Sequence, residues 1–170
     1  MMACGTGATT MGSCGVSPSV IGTNHDGIVT AGSGILTTCI MNFSKKPIDP
    51  VGLKRMTDIV SHRGPDGEGH WISNERNVGL GHRRLAIIDL SEKGKQPMHY
   101  ANRFTITYNG EIYNYLELKD SLIKKGYAFK SATDTEVVLA SYTEYGEECL
   151  QHFDGMFAFV IWDNEKKTLF

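Results

Sequence analysis

The stretch Phe104-Thr105-Ile106-Thr107-Tyr108-Asn109-Gly110-Glu111-Ile112-Tyr113-Asn114-Tyr115 joins a short apolar run to a helical pattern that extends to about Lys125. A glycine at such a strand-to-helix junction lets its backbone N–H point outward, because no Cβ blocks the approach of a ligand. The Asn109 amide beside it gives a second donor aimed at the same point, which is how an oxyanion is held during acyl transfer. Glu111 adds a carboxylate that can take an ammonium group. Donors for an oxygen and an acceptor for an amine suit an amino-acid amide. Taken alone, the same residues also read as Asn-Gly turn chemistry leading into a helix.

Downstream, Ile112, Tyr115, Leu116, Leu122 and Ile123 form an apolar face on the helix, and Gly126 ends it. Thr133 with Glu136 predicts a capping box for a further helix carrying Val137, Val138, Leu139 and Tyr142. Met156 to Trp162 reads as a buried strand, Asp163 to Lys166 as a hairpin-like turn, and Thr168 to Phe170 as the start of another strand. Upstream, Asp49-Pro50 predicts a helix start, with Leu53, Met56, Ile59 and Val60 at helical spacing. The Gly/Pro cluster from Gly64 to Gly69 reads as a loop, and Val78 to Asp89 as two strand pieces around Gly81. Pattern alone supports a mixed α and β domain.

Residues 1–38 differ. They are rich in Gly, Thr and Ser, carry Asp26 as their sole formal charge, and read as an atypical, disordered leader ahead of a domain spanning 39–170. A formal charge of −2 argues against a nucleic-acid or anionic-membrane surface, and no apolar run is long enough to span a bilayer. The four cysteines, Cys4, Cys14, Cys39 and Cys149, show no metal-ligand spacing, and no two histidines stand four apart, so no metal site is expected. A reduced, cytoplasmic setting fits, with Cys149 a partly buried structural thiol.

Five segments appear in order: Ser61-His62-Arg63-Gly64-Pro65-Asp66-Gly67, Gly81-His82-Arg83-Arg84-Leu85-Ala86-Ile87-Ile88-Asp89, Asn109-Gly110-Glu111, Thr133-Asp134-Thr135-Glu136 and Asp154-Gly155-Met156-Phe157-Ala158-Phe159. Together they resemble the glutamine-hydrolysing domain of glutamine-dependent asparagine synthetases, a class II (N-terminal nucleophile) glutamine amidotransferase. The resemblance covers about Asn42 to Phe170. It implies an α+β fold, the four-layer αββα sandwich of N-terminal-nucleophile hydrolases. It also implies hydrolysis of glutamine to glutamate and ammonia, used by a synthetase domain or subunit for ATP-dependent amidation of aspartate.

The resemblance places Asn109 and Gly110 in the oxyanion hole, Arg84 on the glutamine α-carboxylate, and Glu111 and Asp134 around its α-ammonium. Asp134 has a rival role, since a carboxylate in a first helical turn stabilises the helix dipole. Arg84 reads equally as a surface arginine beside Arg83, and Arg63 looks like an organiser of the loop floor. No cofactor is implied for the glutaminase half. ATP and magnesium belong to the synthetase part, of which the chain holds nothing, so the domain reads as truncated at its C-terminal end. Neither nucleic acid nor membrane is an expected partner, and a homodimer is compatible with the sequence.

The family's nucleophile is a cysteine at the mature N-terminus, whose own α-amine serves as base; a free α-amine has a reference pKa near 8. Family spacing puts it at Ser33 to Leu36, where no cysteine stands. By that spacing Cys39 comes too late, and Cys14 and Cys4 too early. Three accounts compete: a lost native start, a propeptide cut before a cysteine, or a domain that has lost its nucleophile and survives as a glutamine-binding or scaffolding module.

Overall fold

The computed structural model describes residues 3–6, 37–41, 46–85 and 94–170. In chain order its elements are β1 (Ala3–Thr6), β2 (Thr37–Met41), α1 (Pro50–Ile59), β3 (Gly67–Ile72), β4 (Val78–Arg84), β5 (Met98–Tyr100), β6 (Phe104–Ile112), α2 (Tyr115–Lys124), α3 (Asp134–Tyr145), β7 (Gly155–Asp163) and β8 (Thr168–Leu169). Short 3-10 turns occupy Ser61–Arg63 and Gly146–His152. The chain divides into two compact units, Met1–Gly12 with Ile87–Phe170, and Ser13–Ala86. Both combine antiparallel strands with helices, the α+β class expected.

In the unit Ser13–Ala86 the sheet order is β2-β4-β3. Asp49 caps α1 as expected, its two carboxylate oxygens accepting from Val51 N and Gly52 N at 3.0 Å each. The helix buries Leu53 and Thr57, with Met56 and Val60 partly covered on the same face, while Ile59, read from the sequence as part of that stripe, is 74% exposed. Gly81 does not split β4 in two. A Cβ there would run into Thr57 Cγ2, so the glycine is what lets α1 lie close over an unbroken strand. The loop expected from Gly64 to Gly69 gives way at Gly67 to β3, which pairs with β4 from Gly67↔Arg84 to Ile72↔Gly79. The residues expected to continue the strand pattern after Ala86, up to Asp89, lie outside the described residues.

The other unit carries a sheet of order β1-β7-β6-β5, with β8 paired to β7. The nine residues of β6 pair with β7 from Phe104↔Asp163 to Ile112↔Gly155. This pairing carries the strand through Asn109-Gly110-Glu111, where the sequence suggested a helix opening; α2 begins only at Tyr115. Phe104, Ile106, Ile112, Val138, Phe159 and Ile161 are among the buried side chains that fill the core between sheet and helices. Along α2 the buried face is Leu122, with Tyr115 and Leu118 partly covered. Leu116 and Ile123, expected on that face, are 60% and 50% exposed. Cys149 is fully buried in the core, more so than expected.

Thr133 caps α3, accepting from Glu136 N at 3.4 Å. The reciprocal half of the capping box is absent among the described residues. The Glu136 carboxylate accepts instead from the amides of Lys130 and Ser131 and from the Ser131 hydroxyl, pinning the loop before the helix. At the opposite end of the sheet, Asp163 organises the hairpin to β8. Its Oδ1 accepts from Glu165 N and Lys166 N, and Arg103 grips both oxygens at 3.0 and 2.6 Å.

Burial opposes the Asp163 charge, but Arg103 and the two turn amides outweigh it and hold the carboxyl below its usual range. Stability from a depressed carboxyl is present above its unfolded pKa and is lost as pH falls through the folded value. Arg103→Ala should therefore lower stability at neutral pH, because it leaves the buried Asp163 carboxylate without its cation. Thermal unfolding in acid should show that gap closing as Asp163 protonates in both proteins.

The expectation of a disordered leader fails at its start. Ala3–Thr6 is the strand β1, antiparallel to β7 with Ala3↔Phe159, Cys4↔Ala158, Gly5↔Phe157 and Thr6↔Met156. Backbone pairing, which composition does not register, orders these residues. The leader residues 7–36, with Cys14 among them, lie outside the described residues.

Candidate active site

The end of β6 presents Asn109 half-buried and Gly110 and Glu111 exposed. Gly110 holds φ 145°, a conformation that L side chains rarely adopt. A Cβ there would meet the Met156 carbonyl oxygen and come within 2.5 Å of Phe157 Cα, both in the backbone of β7. Across the pair, a Cβ on Gly155 would run into the Glu111 carbonyl. Two glycines thus let β6 and β7 press together where Asn109 and Gly110 come to the surface.

Asp134 is buried at the first position of α3, and its Oδ2 accepts two hydrogen bonds from β6. Tyr108 Oη donates at 2.5 Å and Ile112 N at 3.2 Å. These donors flank the tripeptide Asn109-Gly110-Glu111 on its two sides, so one carboxylate oxygen clasps both ends of the segment. Gln96 supports the same place: its Oε1 accepts from Tyr108 N at 2.6 Å, and its Nε2 donates to Thr135 Oγ1 at 3.5 Å. Strand β5 pairs with β6 only between Phe104 and Ile106, so the Gln96 side chain satisfies an N–H beyond the end of the ladder.

Burial raises the Asp134 carboxyl above its usual range, against the lowering by Tyr108, Ile112 N and the amides at the start of α3. Burial first, then the Asp134 charge, pushes the Tyr108 phenol up, which keeps its hydroxyl a donor to Asp134 at neutral pH. The choice between ligand and dipole partner posed for Asp134 therefore omitted a third role, as a clasp on the segment Asn109-Gly110-Glu111.

The register supplies a residue that spacing had set aside. Cys4 in β1 stands opposite Ala158 of β7, and Ala158 stands opposite Asn109 of β6. The three backbone positions form one row across the sheet. Distance along the sequence hid this, because a strand can join a sheet after any length of intervening chain.

Two other cysteines are unsuited to attack. Cys39 sits buried in β2 opposite Leu80, and Cys149 is fully enclosed; burial pushes each thiol up to about 12. Such thiols carry almost no thiolate at neutral pH.

Arg84 ends β4 in the unit Ser13–Ala86, half-buried and opposite Gly67. The tandem arginines are not equivalent, because successive strand residues face opposite ways. Arg83 is bound to α1 through Asp58, to Glu68 at 2.8 Å and to the Thr57 carbonyl at 3.3 Å. Arg63 is exposed in the 3-10 turn, and Gly64 beside it packs tightly, since a Cβ there would lie 2.7 Å from Arg83 C. Among the described residues no three His, Cys, Asp or Glu side chains group as a metal site, and no helix is long and apolar enough to cross a membrane.

Residues 33–170 match the model of the glutamine amidotransferase domain. Asparagine synthetase (glutamine-hydrolysing) 1 of Bacillus subtilis is 43% identical over 134 residues, covering 75% of this chain and 21% of that protein. A putative asparagine synthetase (glutamine-hydrolysing) of Methanocaldococcus jannaschii is 44% identical over 148 residues, covering 77% of this chain and 28% of that protein. Among solved structures, glutamine phosphoribosylpyrophosphate amidotransferase from B. subtilis aligns with a TM-score of 0.45 at 25% identity, over 52% of this chain and 21% of that one. The chain thus spans between a fifth and three tenths of the length of these curated relatives. With most of its length matched by the family model and with relatives above 40% identity, this chain belongs to the glutamine amidotransferase domain family.

Proposed function

We propose that this chain hydrolyses glutamine to glutamate and ammonia, and that the ammonia serves an ATP-dependent synthetase domain or subunit that amidates aspartate. The observation that carries the reading is the row Cys4–Ala158–Asn109, with Gly110 next in β6. The names of the relatives support aspartate as the acceptor.

In this reading the Cys4 thiolate attacks the side-chain carbonyl carbon of glutamine. The charge that develops on the carbonyl oxygen is met by the Asn109 amide and the Gly110 N–H. The C–N bond then breaks, ammonia leaves with the proton relayed by the α-amine of Cys4, and water hydrolyses the thioester to glutamate. A peptide nitrogen cannot relay that proton, so the reading requires Cys4 to become residue one by removal of Met1, Met2 and Ala3. Asp134 and Glu111 take the α-ammonium of the substrate. Arg84 lies in the other unit, and its assignment to the α-carboxylate rests on the resemblance alone. ATP and magnesium are needed by the amidation and not by the hydrolysis. A reducing cytoplasm suits a thiol nucleophile and the free Cys39 and Cys149.

The test is ammonia release from glutamine, with the N-terminal residue and any alkylated thiol identified by mass spectrometry. The expected result is hydrolysis abolished by iodoacetamide, with the label on Cys4, since buried Cys39 and Cys149 react slowly in the folded protein. A folded chain beginning at Cys4 that neither releases ammonia nor gains thermal stability from millimolar glutamine would overturn the proposal. Stabilisation without turnover would instead identify a glutamine-binding module.

A further inference from the structure

Resting on that reading, we propose that Tyr108 is a positioning residue for substrate recognition: its hydroxyl holds the Asp134 carboxylate in place for the glutamine α-ammonium and ties it to the strand that carries Asn109 and Gly110. Tyr108 is buried beside Asn109 and its hydroxyl binds the Asp134 carboxylate, so its influence on the α-ammonium passes through Asp134.

The geometry explains why a hydroxyl is placed there. A buried carboxylate pays for lost hydration unless donors replace the water. Asp134 has the Ile112 N–H and the first amides of α3, all of them backbone groups fixed by secondary structure. Tyr108 supplies the side-chain donor, on a bond of 2.5 Å against 3.2 Å for Ile112 N. Tyr108 is itself fixed, its N–H bound to Gln96 Oε1 and its ring within the core. A phenol so anchored is a rigid reference for the carboxylate. Removing the hydroxyl leaves Asp134 buried with one donor fewer, so the ionised form that an ammonium requires becomes harder to hold.

The same bond couples recognition to catalysis. Tyr108 and Ile112 flank Asn109-Gly110-Glu111, so the carboxylate is registered to that segment, while pairing with β7 holds the segment itself. Glu111, exposed on the same strand, is the other carboxylate in the group, and Glu136 on α3 is occupied by the Lys130 and Ser131 amides. Asp134 is therefore the carboxylate whose state depends on Tyr108.

The experiment measures binding by calorimetry in the full chain carrying Cys4→Ala, so that turnover does not consume the ligand. Two probes are used: glutamine, and glutaramic acid, which keeps the carboxylate and amide but lacks the α-amine. Tyr108→Phe should weaken glutamine about tenfold, the loss of one hydrogen bond to a charged group, and leave glutaramic acid within about twofold. In an Asp134→Asn background, Tyr108→Phe should add nothing, because its effect passes through that carboxylate. Equal weakening of both probes, or effects that add in the double variant, would overturn the proposal. Site-specific 3-fluorotyrosine at position 108 covers the case in which Tyr108→Phe fails to fold. It preserves the shape and strengthens the donor, so glutamine should bind more tightly, and unchanged or weaker binding would count against the proposal. If the parent binds glutamine and Tyr108→Phe binds it equally, the role of Tyr108 alone fails. If the parent binds no glutamine, the glutaminase reading fails and takes this inference with it.

Discussion

Gly110→Ala should cost about 4 kcal/mol and abolish glutamine binding and hydrolysis together. Two independent penalties meet at this position. The first is conformational: at φ 145° an L side chain strains its own backbone by about 1–3 kcal/mol. The second is steric, since the new Cβ would meet the Met156 carbonyl oxygen and Phe157 Cα. Both belong to the backbone of β7, which is held on its other edge by β1, so neither can swing aside as a flexible side chain would. Overpacking of this kind adds about 1–3 kcal/mol. The sum is a large fraction of the roughly 5–15 kcal/mol that holds a typical domain together.

Gly126→Ala provides the matched control. Gly126 also has positive φ, at 96°, but a Cβ there meets nothing within 4 Å. It should cost only about 1 kcal/mol and leave the site untouched. Urea unfolding of the two variants separates conformational strain from the press of β7. A Gly110→Ala loss no larger than that of Gly126→Ala would show that β6 and β7 yield at the site.

Features held within a few neighbouring residues were legible in the sequence. Asp49 caps α1, Thr133 caps α3, and the apolar run of β7 begins and ends within a residue of where its composition placed it. Features fixed by pairing between distant segments were not. Gly67 and Gly69 look like turn residues until β4 supplies the partner that makes β3. Asn109-Gly110-Glu111 has the chemistry of a turn, yet β7 keeps it extended to Ile112.

The same division runs through the site. The residue types at Asn109, Gly110 and Glu111 suggest donors for an oxygen and an acceptor for an amine by local chemistry, beside the turn that the same residues could make. Asp134 announces a carboxylate in a first helical turn, but its clasp on Tyr108 and Ile112 requires α3 to dock against β6. Arg83 and Arg84 are indistinguishable in sequence and are separated by strand alternation, which binds Arg83 to Asp58 and Glu68. The row Cys4–Ala158–Asn109 was hidden for the most general reason: spacing measures chain length, and a sheet is assembled by register.

Cys4→Ala should lower ammonia release by at least about a thousandfold while leaving glutamine binding and thermal stability close to those of the parent. The fold should be indifferent because β1 is held by backbone pairing to β7, which alanine preserves. Catalysis should not be, because the donors of Asn109 and Gly110 stabilise a charge that forms only once a nucleophile has attacked. The other cysteines discriminate between explanations. Cys149→Ala should keep turnover and lose about 1 kcal/mol of stability, the consequence of deleting a buried sulfur from the core. Cys39→Ala should behave in the same way, since its thiol is equally enclosed. If Cys14→Ala rather than Cys4→Ala abolished turnover, the row through Ala158 to Asn109 would not be the catalytic register, and the nucleophile would have to reach the oxyanion donors from another strand. If neither did, while both variants still bound glutamine, Asn109, Gly110 and Asp134 would form a receptor for the amino acid without the thiol that consumes it.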